Sequence, residues 1–342
     1  MGRSRIARWG RFGVHVLRGQ AQVDFVPSAL TGAVFSVGLF VAGWRYGLYG
    51  LLGTAVGTGT ARLLGVERGR VAAGLEGFNA CLVAVGFAVC LGAGHLSTAL
   101  LAAGGCAVVT VVGAAAATVL GTWRLPALTL PFCLTASAMT IAAPGFRAVW
   151  HHGEGPAELA RAAEGPVELG LSDVVHGFFA NVAQIFLMPQ WHVGLIFLAG
   201  IFAADRLAGA MACAGSAVGI LTAWALGAPA EHIADGTMGY NAVLVAIALC
   251  GALLSADRWS LGFAVVGAAA ATVLGPALSA VFAPAGGHPF TWPFVLTTLV
   301  FLAAVPALPR LRRLGGRPAA EAPAEPAAAV RAATPDPGPH AV

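Results

Sequence analysis

From about residue 28 to residue 309 the chain alternates long apolar runs with short polar or glycine-rich breaks. Each run reaches the roughly 20 residues that a helix needs to cross a bilayer. Lipid offers the backbone no water, so a spanning segment must satisfy its own N–H and C=O groups, as a helix does. A membrane β-barrel would show short stretches of strict alternation, and the runs here are continuous instead. In the first half they predict membrane helices near 28–44, 46–64, 77–93, 98–120 and 129–149. The expected fold class is all-α: a polytopic membrane protein of about ten transmembrane helices.

The pattern is duplicated. Gly74, Leu82 and Val83 recur 162 positions later as Gly236, Leu244 and Val245, and Phe78-Asn79-Ala80 becomes Tyr240-Asn241-Ala242. Gln22, Pro27 and Gly32 return as Gln184, Pro189 and Gly194, while Pro131, Phe132, Leu134 and Thr135 return as Pro293, Phe294, Leu296 and Thr297, again 162 apart. The run VVGAAAATVLG at 111–121 recurs letter for letter at 265–275, an offset of 154, which implies eight residues lost from one loop of the second copy and restored in the next. With about five spans per copy, an odd number, the second copy must enter from the opposite side. Two inverted five-helix repeats of this kind place a substrate path between the halves near the midplane.

Composition agrees with a membrane setting. The chain is 58% hydrophobic and only 10% charged, with a mean hydropathy of +0.81, whereas a soluble domain carries about a quarter charged residues. Its positive charge gathers at the ends, in MGRSRIARWGRFGVHVLR at 1–18 and RLRRLGGRP at 310–318. The positive-inside rule then puts both termini in the cytoplasm of a multi-pass protein in a cell membrane, of the bacterial inner or plasma type. We read this charge as orientation and expect no nucleic-acid partner. The first 18 residues have no continuous apolar core and so no cleavable signal pattern.

The expected domain order is a basic N-terminal segment (1–18), a first transmembrane repeat (19–150), a polar linker (151–175), a second repeat (176–309) and a disordered tail (310–342). Enzymatic chemistry finds no footing. The six cysteines lie scattered in apolar runs and the nine histidines show no metal-binding spacing. Neither a cofactor nor a metal site is expected.

The duplicated GFNACLV/GYNAVLV blocks and the LPALTLPFCLT stretch at 125–135 resemble the urea transporter family, and the likeness runs from about residue 19 to 305. The resemblance implies ten membrane helices, two shorter pore helices, inverted halves, and a homotrimer in membrane lipid with one passive, channel-like pore per chain. It also implies site residues. Positions matching Gln22, Phe25, Phe78 and Leu82 line one end of the pore. Gln184, Leu187, Tyr240 and Leu244 are their mates at the other end, and Thr135 and Thr297 sit at the narrow middle.

These residue types suit urea, which is flat, neutral, and carries one acceptor and four N–H donors. Phe78 and Leu82, like Tyr240 and Leu244, are four apart and share a helix face, so each pair offers an apolar wall. The glutamines offer side-chain oxygens to the amide edge. Other readings stand beside these. Phe78 and Tyr240 also suit ordinary core aromatics, the glutamines suit an interface, and the threonines suit bonding back to the preceding helical turn. Asn79 and Asn241 read either as structural pins near the pore or as solute contacts. Pro131 and Pro293 mark broken backbone whose freed carbonyls extend the row of acceptors.

Some positions depart from the family pattern. Ala84 and Ala246 replace the usual glycine, Leu187 stands where the first copy has Phe25, and Asp24 has Phe186 as its mate. A channel for another small neutral solute (an amide, ammonia or water) is one alternative. An ion-coupled transporter using Glu76, Asp24 or Asp205 is the other.

Overall fold

The computed structural model describes residues 2–151 and 165–314, with side chains described from residue 10 onward. The central part of the predicted linker and residues 315–342 of the predicted tail lie outside the described residues. Fourteen α-helices account for nearly all regular structure among the described residues. In chain order they are α1 (Gly2–Ala21), α2 (Ala29–Ala42), α3 (Trp44–Leu63), α4 (Arg68–Ala72), α5 (Phe78–Leu91), α6 (Leu96–Gly121) and α7 (Leu130–Ala142), then α8 (Leu171–Ala183), α9 (Trp191–Ala204), α10 (Arg206–Ala225), α11 (Ala230–Ala234), α12 (Tyr240–Ile247), α13 (Arg258–Phe282) and α14 (Trp292–Ala304).

Two features differ from the sequence-based expectation. The basic N-terminal segment is not a separate lead-in. It belongs to α1, which joins α2 through a 78° bend, and α8 joins α9 through a matching bend of 75°. Each bend follows a short 3₁₀ turn, Gln22–Asp24 and Gln184–Phe186, that ends on a left-handed residue, Phe25 or Leu187. The chain turns there so tightly that a Cβ built on Gly32 would lie 1.8 Å from the Leu17 carbonyl oxygen, and one on Gly194 would lie 1.8 Å from that of Phe179. Small residues are what allow two helix backbones to approach this closely.

The second correction concerns register. No eight-residue deletion exists: α2 and α9, α3 and α10, α5 and α12, α6 and α13, and α7 and α14 all begin 162 positions apart. Buried positions keep the same step, with Thr98, Ala102, Cys106, Val109 and Thr110 of α6 answered by Ser260, Ala264, Ala268, Ala271 and Thr272 of α13. The identical run at 111–121 and 265–275 therefore sits about two turns out of register, roughly 12 Å along the helix axis. Helices built from Ala, Gly and Val repeat such strings easily, because many small apolar residues fit a lipid-facing or loosely packed surface.

Among the described residues, three helices are long and apolar enough to span alone, Leu96–Gly121, Arg206–Ala225 and the stretch Arg258–Ala285. The two bent pairs also qualify when each pair is taken together, and shorter apolar helices begin at Phe78, Leu130, Tyr240 and Trp292. The short helices sit inside. In α5, every residue from Ala80 to Ala88 is buried, while long helices such as α6 and α13 leave Val111, Val119, Val266 and Val273 more than half exposed, as a lipid-facing surface requires. The two halves meet through α2 and α9, where Phe35 and its mate Phe197 pack at 4.9 Å and the Thr31 hydroxyl donates to the Gly200 carbonyl at 2.9 Å.

Candidate functional site

The second meeting point lies where α7 and α14 begin. Their first turns leave backbone N–H groups without helical partners, and each is accounted for. In α7, Leu130 N donates to Ala127 O, Pro131 has no N–H, Phe132 N donates to Asn79 Oδ1 at 3.2 Å, and Cys133 N donates to Thr129 O. In α14, Trp292 N donates to Pro289 O, Pro293 has none, Phe294 N donates to Asn241 Oδ1 at 3.1 Å, and Val295 N donates to Thr291 O. The other end of each amide reaches the preceding loop. Asn79 Nδ2 donates to Leu128 O at 3.2 Å and Asn241 Nδ2 to Phe290 O at 3.5 Å. Leu128 and Phe290 both hold the left-handed conformation, which side chains rarely adopt without outside support. The two asparagines therefore staple broken backbone from α5 and α12, the structural one of their two readings.

Between these staples two threonines touch. Thr129 and Thr291, themselves 162 apart, pair hydroxyl to hydroxyl at 2.7 Å, and the Cys133 thiol lies 3.2 Å from Thr291 Oγ1. This pair and Phe35–Phe197 are two places where a residue contacts its own repeat mate. Neither threonine uses its side chain to cap its helix. Sequence reasoning passed over both, although the shared Thr-x-Pro-Phe at 129–132 and 291–294 was there to be seen.

The sequence-predicted threonines sit one to two turns further on. Thr135 Oγ1 donates to Pro131 O at 2.8 Å, the back-bonded arrangement weighed above. Thr297 is buried.

At the two ends the glutamines behave alike. Gln22 Nε2 donates to Ala73 O at 2.8 Å, and Gln184 Nε2 donates to Asp235 O at 3.0 Å, again mates bonded to mates. Each bond fixes the amide and leaves Oε1 as a spare acceptor. Phe25, Phe78 and Leu187 are partly exposed, whereas Leu82 and Leu244 are fully buried. Tyr240 is buried and donates its hydroxyl to Phe290 O, a bond that Phe78 cannot make. Aromatic edges close the interior: Phe25 meets Phe294 at 6.1 Å, and Phe132 meets Phe290 at 5.2 Å, both edge-on.

The acids divide clearly. Glu76 is not an unpaired intramembrane acid; Arg70 donates to its Oε1 at 2.8 Å, ahead of the start of α5. Asp205 caps α10 by accepting from Leu207 N and Ala208 N. Asp24 alone of the three is fully buried with both carboxyl oxygens unpartnered. Its mate Phe186 packs against Phe35 at 5.4 Å and Phe197 at 4.9 Å. A buried polar group without a partner costs about 1–3 kcal/mol, so Asp24→Leu is expected to stabilise the fold by that order. Thermal unfolding in detergent tests this; an unchanged or lowered midpoint would mean that the carboxyl has a use in the fold.

Comparison with known proteins agrees with this arrangement. The family described as "Urea transporter" matches residues 14–306. Urea transporter 1 of Ovis aries is 32% identical over 307 residues, covering 87% of this chain and 78% of that protein. Urea transporter 1 of Capra hircus is 33% identical and that of Mus musculus 32%, over the same shares. With the family match covering most of the chain, including both glutamine turns, both asparagine staples and the threonine pair, the protein belongs to the urea transporter family.

Proposed function

We propose that the chain conducts urea passively across the membrane through a path between two inverted repeats. The path runs from the end lined by Gln22, Phe25 and Phe78 to the end lined by Gln184, Leu187 and Tyr240. Leu82 and Leu244 stand behind the walls, and the centre lies at Thr129 and Thr291. The observation that carries this reading is the contact between the two mated threonines, together with two glutamine turns that match bond for bond.

The chemistry follows from donors and acceptors. Each glutamine Oε1 accepts an N–H from urea at a mouth. At the centre two hydroxyls share one mutual hydrogen bond, which leaves one O–H to donate to the urea carbonyl and lone pairs to accept from its amides. Aromatic edges and leucines fit the flat faces. Neutral dipoles of this kind do not replace the hydration shell of an ion, so ions are rejected. The protein is a transporter and not an enzyme. Its resemblance to the family extends the reading to a homotrimer in lipid with one path per chain, while the basic ends and an odd number of spans per repeat favour cytoplasmic termini and an outside linker.

Protein reconstituted in liposomes should accelerate urea entry well above empty vesicles, independently of a sodium or proton gradient. A folded preparation that gives no acceleration overturns the reading. Parallel measurement of formamide, ammonia and water sets the selectivity. Asp24 is the one observation that favours the ion-coupled alternative, since Glu76 and Asp205 are already engaged. Concentrative uptake that is lost in Asp24→Asn would decide for that alternative.

A further inference from the structure

A cleft at the end of the second repeat lies outside the proposed solute path. It occupies about 400 Å³ and is lined by Ser255, Asp257, Trp259, Pro309, Arg310 and Arg312. The positions 162 earlier than Trp259, Arg310 and Arg312 are Ser97, Ala148 and Trp150, so duplication alone does not account for it.

The walls are fixed by backbone. Ser255 N donates to Arg312 O at 2.8 Å and Leu314 N to Leu253 O at 2.9 Å, which holds the segment after α14 against the loop before α13. Arg313 clamps that segment from the other side, donating to Arg124 O at 2.6 Å and to Leu302 O at 2.5 Å. On this frame the Arg310 guanidinium lies 4.2 Å from the centre of the Trp259 ring, and that of Arg258 lies 5.1 Å from it. No ion pair engages Arg258, Arg310 or Arg312 among the described residues. The one acid at the rim, Asp257, already accepts from Trp259 N at 2.7 Å and Ser260 N at 2.9 Å.

We propose that this cleft binds the phosphate group of an anionic lipid. Arginine presents forked donors that match phosphate oxygens, and tryptophan beside it suits the boundary between headgroups and acyl chains. The source is a lipid rather than free phosphate because the cleft opens onto an apolar surface. On the Trp259 face of α13, seven and fourteen residues further on, Val266 and Val273 are exposed, where acyl chains would lie. Clustered arginines immediately beyond a membrane helix attract anionic lipid for the same electrostatic reason.

Lipid binding to the purified full-length protein in detergent, followed by native mass spectrometry, tests this without reference to urea flux. Phosphatidylglycerol is expected to bind at least about tenfold tighter than phosphatidylcholine, a 1.4 kcal/mol difference. The double variant Arg310→Gln/Arg312→Gln should bring that ratio close to one, and Arg310→Lys/Arg312→Lys should keep part of it. Arg68→Gln, the same kind of charge change at an exposed residue of α4, should leave the ratio unchanged. Equal binding of the two lipids to the unaltered protein overturns the proposal. So does a preference that survives in the glutamine double variant, or one that Arg68→Gln removes equally. Displacement of the lipid by millimolar inorganic phosphate overturns the lipid as the source and leaves a site for soluble phosphate.

Discussion

Asn241→Leu is expected to destabilise the protein by about 2–4 kcal/mol and to remove most urea flux with it. The leucine has nearly the same volume, so the loss is one of hydrogen bonding. Phe294 N would lose its acceptor, and an orphaned backbone group costs about 1–3 kcal/mol in a protein interior and several in a membrane setting. Phe290 would lose one of two donors to its carbonyl, keeping that of Tyr240, while its left-handed backbone becomes less well supported. Tyr240→Phe, which copies the residue at position 78, removes only the other donor and should cost about 1 kcal/mol. Thermal unfolding in detergent measures both, and liposome flux measures the consequence. If Asn241→Leu melts and conducts like the unaltered protein, the asparagines do not hold the broken helices.

Thr129→Val and Thr291→Val are expected each to slow urea entry by about tenfold, the equivalent of one hydrogen bond of roughly 1.4 kcal/mol in the barrier. Neither side chain caps its helix, so both helix starts should survive, although losing the buried mutual bond should cost about 1 kcal/mol of stability or more. The double variant should lose less than the product of the two single losses, because the hydroxyls share one bond and are not independent. Thr135→Val is the contrast. Its hydroxyl is committed to Pro131 O, and flux should stay within about twofold. A Thr129→Val protein as fast as the unaltered one, beside a slow Thr135→Val, would move the narrow point along α7.

Much of this site was legible in the chain because duplication writes each residue twice. Gln22 with Gln184 and Asn79 with Asn241 stood out as amides in apolar surroundings, and the structure gives each pair the same partners on both sides. The first four apolar runs of the first half correspond to α2, α3, α5 and α6 to within about two residues, whereas α7 stops at Ala142, well short of the run read to 149. Other features needed three dimensions. The contact between Thr129 and Thr291 joins residues 162 apart, and beside proline each reads as a turn residue. Glu76 looked isolated because Arg70, its partner, precedes the apolar run. The basic start of the chain hid α1, since its arginines mask an apolar face that shows only when the helix turns back on α2. The identical string in α6 and α13 misled in the opposite way, for letters matched where burial did not.

The elbows at Gly32 and Gly194 bear on how solute moves. A carrier that rocks between inward and outward states needs slack where its helices fold over, and here the polypeptide crosses itself with no room for even one added carbon. Such joints behave as welds rather than pivots. On the proposed channel-like reading, throughput is then expected to climb in proportion to the gradient over a wide span of concentration instead of levelling off early as a turnstile would.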